Sequence, residues 1–170
     1  GAALAPLIAQ NPANFRLRIE LGRALLYSGR FAEAEEAFKA ALKINTGSSS
    51  TRTLLGDVYL TDGKFAKARK EYEGVLETDV SCIPAQIRLA LAMHRMGNSA
   101  EAATVLGKLL SDDNYPRLAA GHWLMAAVLA DQGKVDEALK SLDKPLSVDI
   151  DDYDALMAKG LLLLRKKSSD

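Results

Sequence analysis

The chain has 170 residues, of which 48% are hydrophobic and 26% charged, a composition typical of a folded soluble domain or repeat array and unlike that of a disordered chain. Its 22 basic and 22 acidic side chains cancel, so there is no global positive field and we expect no nucleic-acid binding. The single cysteine, Cys82, excludes an intramolecular disulfide and a cysteine zinc cage.

The first residues, GAALAPLIAQNP, have neither the charged start nor the cleavage site of a signal peptide. No uninterrupted apolar run reaches the ~18 residues that a membrane span needs. We therefore expect a soluble protein of the cytoplasm or the bacterial periplasm, with no targeting segment in this chain.

From Phe15 onward the sequence repeats itself with a period of 34 residues. Positions of the first copy recur in register in the second: Leu21-Gly22 as Leu55-Gly56, Gly29 as Gly63, Phe31 as Phe65, Ala34 as Ala68, and Phe38 as Tyr72. A third copy continues through Gly97 and a fourth through Gly133, a step of 36 that places two extra residues in the loop LSDDNYP. Such a period indicates stacked repeats, each packed only against its neighbours.

Each copy is predicted to contain two antiparallel helices. In the first helix, apolar residues recur at three- and four-residue steps and stop at a glycine, which is typical of an amphipathic helix with a C-terminal glycine cap. A second apolar period follows, as in FAEAEEAFKAALKI. The two helices are expected to touch at small residues, because larger side chains there would push them apart. These positions are Gly22, Gly56, Ala90, Ala126 and Gly160 on the first helices and Ala34, Ala68, Ala102 and Ala138 on the second.

These residues resemble the tetratricopeptide repeat, whose 34-residue pattern combines Leu-Gly with a later Ala-x3-Phe and a closing proline. The resemblance implies an all-α fold, an α-solenoid of antiparallel helix pairs wound as a right-handed superhelix. It covers residues 1–170 as a single array, with about four full or near-full repeats and partial repeats at both ends. The predicted segments are the end of a preceding repeat at 1–14, repeats at 15–48, 49–82, 83–118 and 119–152, and the first helix of a further repeat or cap at 153–170.

Two departures from the family pattern lead to predictions. The family often has a tryptophan as the fourth residue of each repeat, but no copy here has one. We therefore expect the pocket of that tryptophan to be filled irregularly, by Arg18, Arg52, Gln86, His122 and Leu156. Pro145 lies within the second helix of the fourth copy and should end or kink that helix, because proline removes a helix hydrogen bond.

The sequence offers no candidate catalytic or metal site. His94 and His122 are 28 residues apart and belong to different copies, without the spacing of a zinc site. Cys82 has no basic neighbour in sequence to lower its pKa, so we expect a packed structural thiol. No phosphate-binding glycine loop or nucleophile elbow occurs. We therefore predict that the protein is not an enzyme and uses no cofactor and no metal.

In tetratricopeptide arrays a concave groove lined by the first helices binds ligand, and the resemblance transfers this role to matching positions. The candidate partner-binding residues are Arg16, Ile19, Arg23, Tyr27, Thr53, Asp57, Ile87, Leu91, His94, Arg95, Trp123 and Ala127. This mixed, mainly apolar lining suits an extended peptide or an amphipathic helix. Trp123 has two open interpretations: an aromatic anchor in the groove, or a core residue that fills the pocket His122 cannot fill.

The leading hypothesis is a non-catalytic scaffold or adaptor that binds a segment of another protein, with no small-molecule substrate. One alternative is a structural protein whose copies associate through the array ends, in particular through the C-terminal apolar run ALMAKGLLLL. A second alternative is a tethering module of a larger multidomain protein.

Overall fold

The computed structural model describes residues 9–11, 13–111, 118–149 and 152–167. Within these ranges every regular element is a helix, as the resemblance implied. The helices are α1 (Phe15–Tyr27), α2 (Phe31–Ile44), α3 (Ser49–Thr61), α4 (Phe65–Leu76), α5 (Ile83–Arg95), α6 (Ser99–Leu110), α7 (Ala119–Asp131), α8 (Val135–Ser141), α9 (Asp143–Val148) and α10 (Tyr153–Lys167). Backbone contacts divide the chain into two compact units, unit 1 (Gly1–Ala85) and unit 2 (Gln86–Asp170).

The helices that open the predicted copies begin at Phe15, Ser49, Ile83, Ala119 and Tyr153. Residues 9 and 10 are helical, while the rest of the predicted preceding helix, 1–8, lies outside the described residues. The predicted two-residue insertion between the third and fourth copies also falls outside them, since residues 112–117 are not described.

The first helix of each of the first four copies ends at a glycine in the left-handed conformation. At the first such turn, Arg30 N–H donates to the Leu25 carbonyl at 2.9 Å and Gly29 N–H donates to the Leu26 carbonyl at 3.0 Å, the two bonds of a Schellman motif. Glycine is favoured because it has no Cβ to make a positive φ costly. The φ values are 72° at Gly29, 73° at Gly63, 86° at Gly97 and 78° at Gly133.

In unit 1 the helices form two hairpins, α1 with α2 and α3 with α4. In each hairpin a glycine of the first helix faces an aromatic ring of the second. A Cβ placed on Gly22 would lie 2.6 Å from Phe38 Cε1, and one on Gly56 would lie 2.5 Å from Tyr72 Cε1. Both rings are fully buried. The prediction that the two helices touch at Gly22 and Gly56 is therefore confirmed, but an aromatic ring, and not the predicted alanine, lies closest to each glycine.

In unit 2 the same repeat position is occupied by Ala90 and Ala126, which are buried as predicted. α10 packs on α7, α8 and α9. Its Leu162 joins a cluster of buried side chains with Ala126, Ala130, Ala138 and Leu142. This part of the unit 2 core is thus built from alanines of α7 and α8 together with two leucines.

The second helix of the fourth copy is interrupted at Leu142, between α8 and α9. Pro145 has no N–H to donate to the Ser141 carbonyl, and its ring crowds that carbonyl, so the turn before the proline cannot continue as a regular helix. The predicted break is confirmed, and it falls before the proline because the disturbed carbonyl lies one turn earlier.

Candidate functional site

Four candidate residues of unit 1 form one stripe along α1. Arg16, Ile19, Arg23 and Tyr27 follow one another at three- and four-residue steps and therefore share one helix face. Arg16 and Arg23 are exposed, and Ile19 is half-buried. The Tyr27 side chain is 88% exposed. The stripe, called here the α1 stripe, presents an aromatic ring and two guanidinium groups to solvent.

The candidates on α3 take part in contacts within unit 1. The Thr53 hydroxyl donates to the Ser49 carbonyl at 2.9 Å. Asp57 Oδ1 accepts a hydrogen bond of 2.8 Å from the Tyr72 hydroxyl on α4. Asp57 therefore joins the two helices of its own hairpin, a role that the groove prediction did not include.

The sequence holds a signal for this contact. The first copy has Phe38, without a hydroxyl, where the second has Tyr72, and it has Arg23 where the second has Asp57. A hydroxyl and a carboxylate thus appear together in the second copy, as expected for a hydrogen-bonded pair.

Tyr59 is 5% exposed and connects α3 to α2. Its hydroxyl donates to Glu35 Oε1 at 2.9 Å, and Lys39 Nζ donates to the same oxygen at 2.6 Å. Burial, with the bond to Glu35, raises the pKa of Tyr59 well above its usual value. The bond from Lys39 lowers the pKa of Glu35. These groups hold neighbouring repeats of unit 1 together.

The candidates on α5 form a second stripe, in unit 2. Ile87 and Leu91 are half-buried and Arg95 is exposed. His94 Nε2 lies 3.3 Å from Asp131 Oδ2 on α7, and His94 Nδ1 lies 3.1 Å from the Ser99 hydroxyl on α6. The histidine therefore joins three helices of unit 2.

Asp131 extends this connection, because its Oδ1 lies 3.6 Å from Arg165 Nη1 on α10. The His94–Asp131 pair brings the ends of α5 and α7 together, and α7 also carries Trp123 and the exposed Ala127. In unit 1, α1 and α3 are likewise in contact. The structure thus brings the candidates together as one surface on unit 1 and another on unit 2.

The structure places His122 itself in the core, contrary to the premise of the second interpretation of Trp123, in which His122 cannot fill the pocket. Its side chain is 5% exposed, and neither ring nitrogen has a hydrogen-bond partner among the described residues. Burial, together with the charge of Lys144, lowers the pKa of His122. The core therefore favours the neutral form of the imidazole.

Trp123 lies beside His122 and is half-buried. It packs against the cluster of Ala126, Ala130, Ala138, Leu142 and Leu162, and its Nε1 is buried without a hydrogen-bond partner among the described residues. Trp123 therefore covers the core of unit 2 with part of its ring, and the remaining part reaches the surface.

Within the described ranges no three His, Cys, Asp or Glu side chains are grouped so that they could hold a metal ion. No helix of the same ranges is long and apolar enough to cross a membrane. The arrangement of candidate residues thus offers contact surfaces of aromatic, aliphatic and charged side chains.

Two family models, both described as tetratricopeptide repeat, match the chain. One matches residues 2–58 and 25–86, and the other matches residues 87–145. No curated protein sequence matches the chain significantly.

Solved structures of similar fold include TTC0263, a thermophilic TPR protein in Thermus thermophilus, with a TM-score of 0.79 and 18% identity over 95% of this chain and 87% of that one. The pilF protein of Pseudomonas aeruginosa has a TM-score of 0.77 and 20% identity over 94% of this chain and 72% of its own. YrrB, a TPR protein with an unusual peptide-binding site, has a TM-score of 0.68 and 18% identity over 97% of this chain and 84% of its own. Because the sequences are only 18–20% identical, these similarities show a shared fold and nothing further.

Proposed function

The chain belongs to the tetratricopeptide repeat family, and we propose that it is a non-catalytic scaffold that binds a segment of a partner protein on the first helices of its repeats. Repeats of this family generally serve protein–protein interaction. The observation that carries the proposal is the α1 stripe, where an 88% exposed tyrosine shares a helix face with two exposed arginines.

The chemistry of the α1 stripe favours a particular kind of partner. Tyrosine and arginine are the residue types that most often dominate binding energy at protein interfaces. Arg16 and Arg23 favour carboxylates, which accept paired hydrogen bonds from a guanidinium group. Ile19 and the ring of Tyr27 supply apolar contact. The proposed partner segment is therefore acidic and carries at least one large apolar side chain.

The α1 stripe is also long enough to contact a short peptide segment. From Arg16 to Tyr27 the helix rises about 16 Å at ~1.5 Å per residue. An extended peptide of about five residues spans that distance. A peptide or an amphipathic helix can thus contact the whole stripe, and the peptide-binding site of the similarly folded YrrB supports this kind of ligand.

The surface on unit 2 offers a second contact of the same kind. Leu91 and Ile87 are half-buried beside the exposed Arg95, and Trp123 supplies an aromatic ring that is partly open to solvent. His94 and Asp131 contribute less in this proposal, since each is engaged by the other.

The test is affinity capture from a lysate of the source organism with the wild-type protein and an Arg23→Glu variant. Lys70→Glu is the matched control, because it reverses an exposed positive charge on α4, a second helix. A partner retained by wild type and Lys70→Glu but lost by Arg23→Glu supports the proposal. With the purified partner segment, Arg23→Glu and Tyr27→Ala should each weaken binding about tenfold or more, about 1.4 kcal/mol.

Two results would contradict the proposal. One is a partner retained equally by all variants, which moves the contact away from the α1 stripe. The other is turnover of a substrate by the purified protein at a rate that depends on one of its side chains.

A further inference from the structure

The C-terminal helix α10 leaves much of its apolar surface open. Monomeric proteins rarely expose a contiguous apolar patch of this kind unless something binds it. The exposed fractions are 71% for Tyr153, 45% for Leu156, 48% for Met157, 62% for Leu161, 50% for Leu163 and 67% for Leu164.

Most of these side chains lie on one side of the helix. The opposite side is buried through Ala155 and Leu162. Tyr153, Met157, Gly160 and Leu164 follow at three- and four-residue steps and so share the outward side. Leu156 and Leu163 flank them. The open face of α10 is defined here as Tyr153, Leu156, Met157, Gly160, Leu163 and Leu164.

A glycine lies in the middle of this face, where it weakens the helix. Glycine inside a helix costs roughly 0.5–1 kcal/mol relative to alanine. Gly22 and Gly56 are needed in spite of this cost, because an aromatic ring occupies the space where a Cβ would lie. A Cβ on Gly160 would meet no atom within 4 Å in the described part of the chain. The bare backbone at Gly160 allows another helix to approach closely.

We propose that the open face of α10 is the interface with a second copy of this chain, with two α10 helices packed antiparallel about a twofold axis at Gly160. Gly160 is the middle residue of α10, with seven residues before it and seven after it. A twofold axis there overlaps the two helices over their full length, and a twofold interface uses the same surface on both copies.

The sequence of α10 is complementary to itself under this symmetry. Residues equally distant from Gly160 on either side face each other across the axis. Leu156 of one copy then meets Leu164 of the other, and Met157 meets Leu163. Tyr153 meets Lys167, whose ammonium group is attracted to the face of a tyrosine ring. Each of these three pairs is thus apolar with apolar, or cation with aromatic ring.

The charges at the helix ends favour the same orientation. α10 has Asp154 in its first turn and Lys167 in its last. Arg165 and Lys166, also in the last turn, are instead engaged by Asp131 of α7 and Asp136 of α8 within the same unit. An antiparallel pair places the acidic end of one helix beside the basic end of the other, and opposite ends of the two helix dipoles also meet. A parallel pair would place like charges together. Each copy contributes a single helix face, which has fewer residues than the about 20–30 that each partner contributes to a standard stable interface. The dimer is therefore reversible.

The experiment is sedimentation of the whole chain from low micromolar to near-millimolar concentration. Wild type should shift from monomer to dimer as concentration rises. Leu164→Glu should stay monomeric, because it places a carboxylate opposite Leu156. Val80→Glu is the matched control: it places a glutamate at a residue that is 77% exposed in unit 1 and should dimerise as wild type does. Circular dichroism confirms that the variants keep their helices.

A mixing experiment tests the register. Leu156→Glu and Leu164→Lys should each dimerise poorly alone, whereas an equimolar mixture should associate more tightly than either, since each mixed dimer gains one Glu–Lys pair and keeps one Leu–Leu pair. A wild-type chain that is monomeric at every concentration would overturn the proposal, as would association insensitive to Leu164→Glu, or a mixture no tighter than its components. The α1 stripe is not involved, so partner capture should be unaffected by Leu164→Glu.

Discussion

Gly56 and Tyr72 approach so closely that a Cβ on the glycine would lie 2.5 Å from the tyrosine ring. The ring is fully buried, so it has little room to move aside. Its hydroxyl also reaches Asp57, the next residue of α3. The contact thus fixes the spacing of α3 and α4, and Gly22 with Phe38 does the same for α1 and α2.

Adding one methyl group at Gly56 should therefore destabilise the protein. We expect Gly56→Ala to lower the free energy of unfolding by about 1–3 kcal/mol, the usual cost of overpacking a core. Gly160→Ala is the matched control, and it should raise the free energy of unfolding by roughly 0.5–1 kcal/mol, because the site is open and alanine favours a helix. Urea denaturation at low protein concentration measures both. Equal effects of the two substitutions would refute this account of the hairpin.

The hydrogen bond between Tyr72 and Asp57 should couple the two residues energetically. Tyr72→Phe and Asp57→Ala should each lower stability, and the double variant should lose less than their sum. A coupling of about 1 kcal/mol is expected for a hydrogen bond to a carboxylate that is partly solvated. The measurement is a double-mutant cycle of urea denaturation curves. Strictly additive effects would show that the bond makes no net contribution to stability.

The buried His122 should make stability depend on pH. Its pKa is lowered in the folded state by burial and by Lys144 on α9. Glu137 and Lys140 of α8 line the same surface cavity. Above the usual pKa of 6.5 the ring is neutral in folded and unfolded chains, so pH has no effect through this group. As pH falls below that value the unfolded chain takes up the proton first, and stability is lost.

We therefore expect the difference in unfolding free energy between His122→Leu and wild type to grow in favour of the variant as pH falls from 8 to 5. Groups common to both proteins cancel in that difference. At pH 8 the variant should already be at least as stable as wild type, because it removes from the core two ring nitrogens that have no hydrogen-bond partner among the described residues. A difference that stays constant with pH would show that His122 does not titrate differently on folding.

The architecture follows from the sequence because its determinants are local and repeated. The glycine turns need only a residue that tolerates positive φ, and the glycine at 29 recurs 34 residues later at 63. The break near Pro145 likewise follows from one residue that cannot donate a hydrogen bond. Periodicity and these single-residue constraints were sufficient to place the helices.

The candidate site was harder to predict, because exposure depends on neighbours that the pattern does not specify. Asp57 lies on the predicted face, yet its carboxylate accepts from Tyr72 on the other helix of the hairpin. The sequence left open whether His122 or the neighbouring Trp123 fills the core pocket, and the structure buries the imidazole of His122. Tyr27 is 88% exposed at the end of α1, a degree of exposure that the helical period alone does not reveal.

The central claim is that a partner segment binds the first helices of the repeats. The most direct measurement is NMR mapping of backbone amide shifts as the captured partner segment is added to the labelled protein. We predict that the largest changes lie along α1 at Arg16, Ile19, Arg23 and Tyr27, with further changes on α3, α5 and α7. Changes confined to the second helices α2, α4, α6 and α8 would contradict the account.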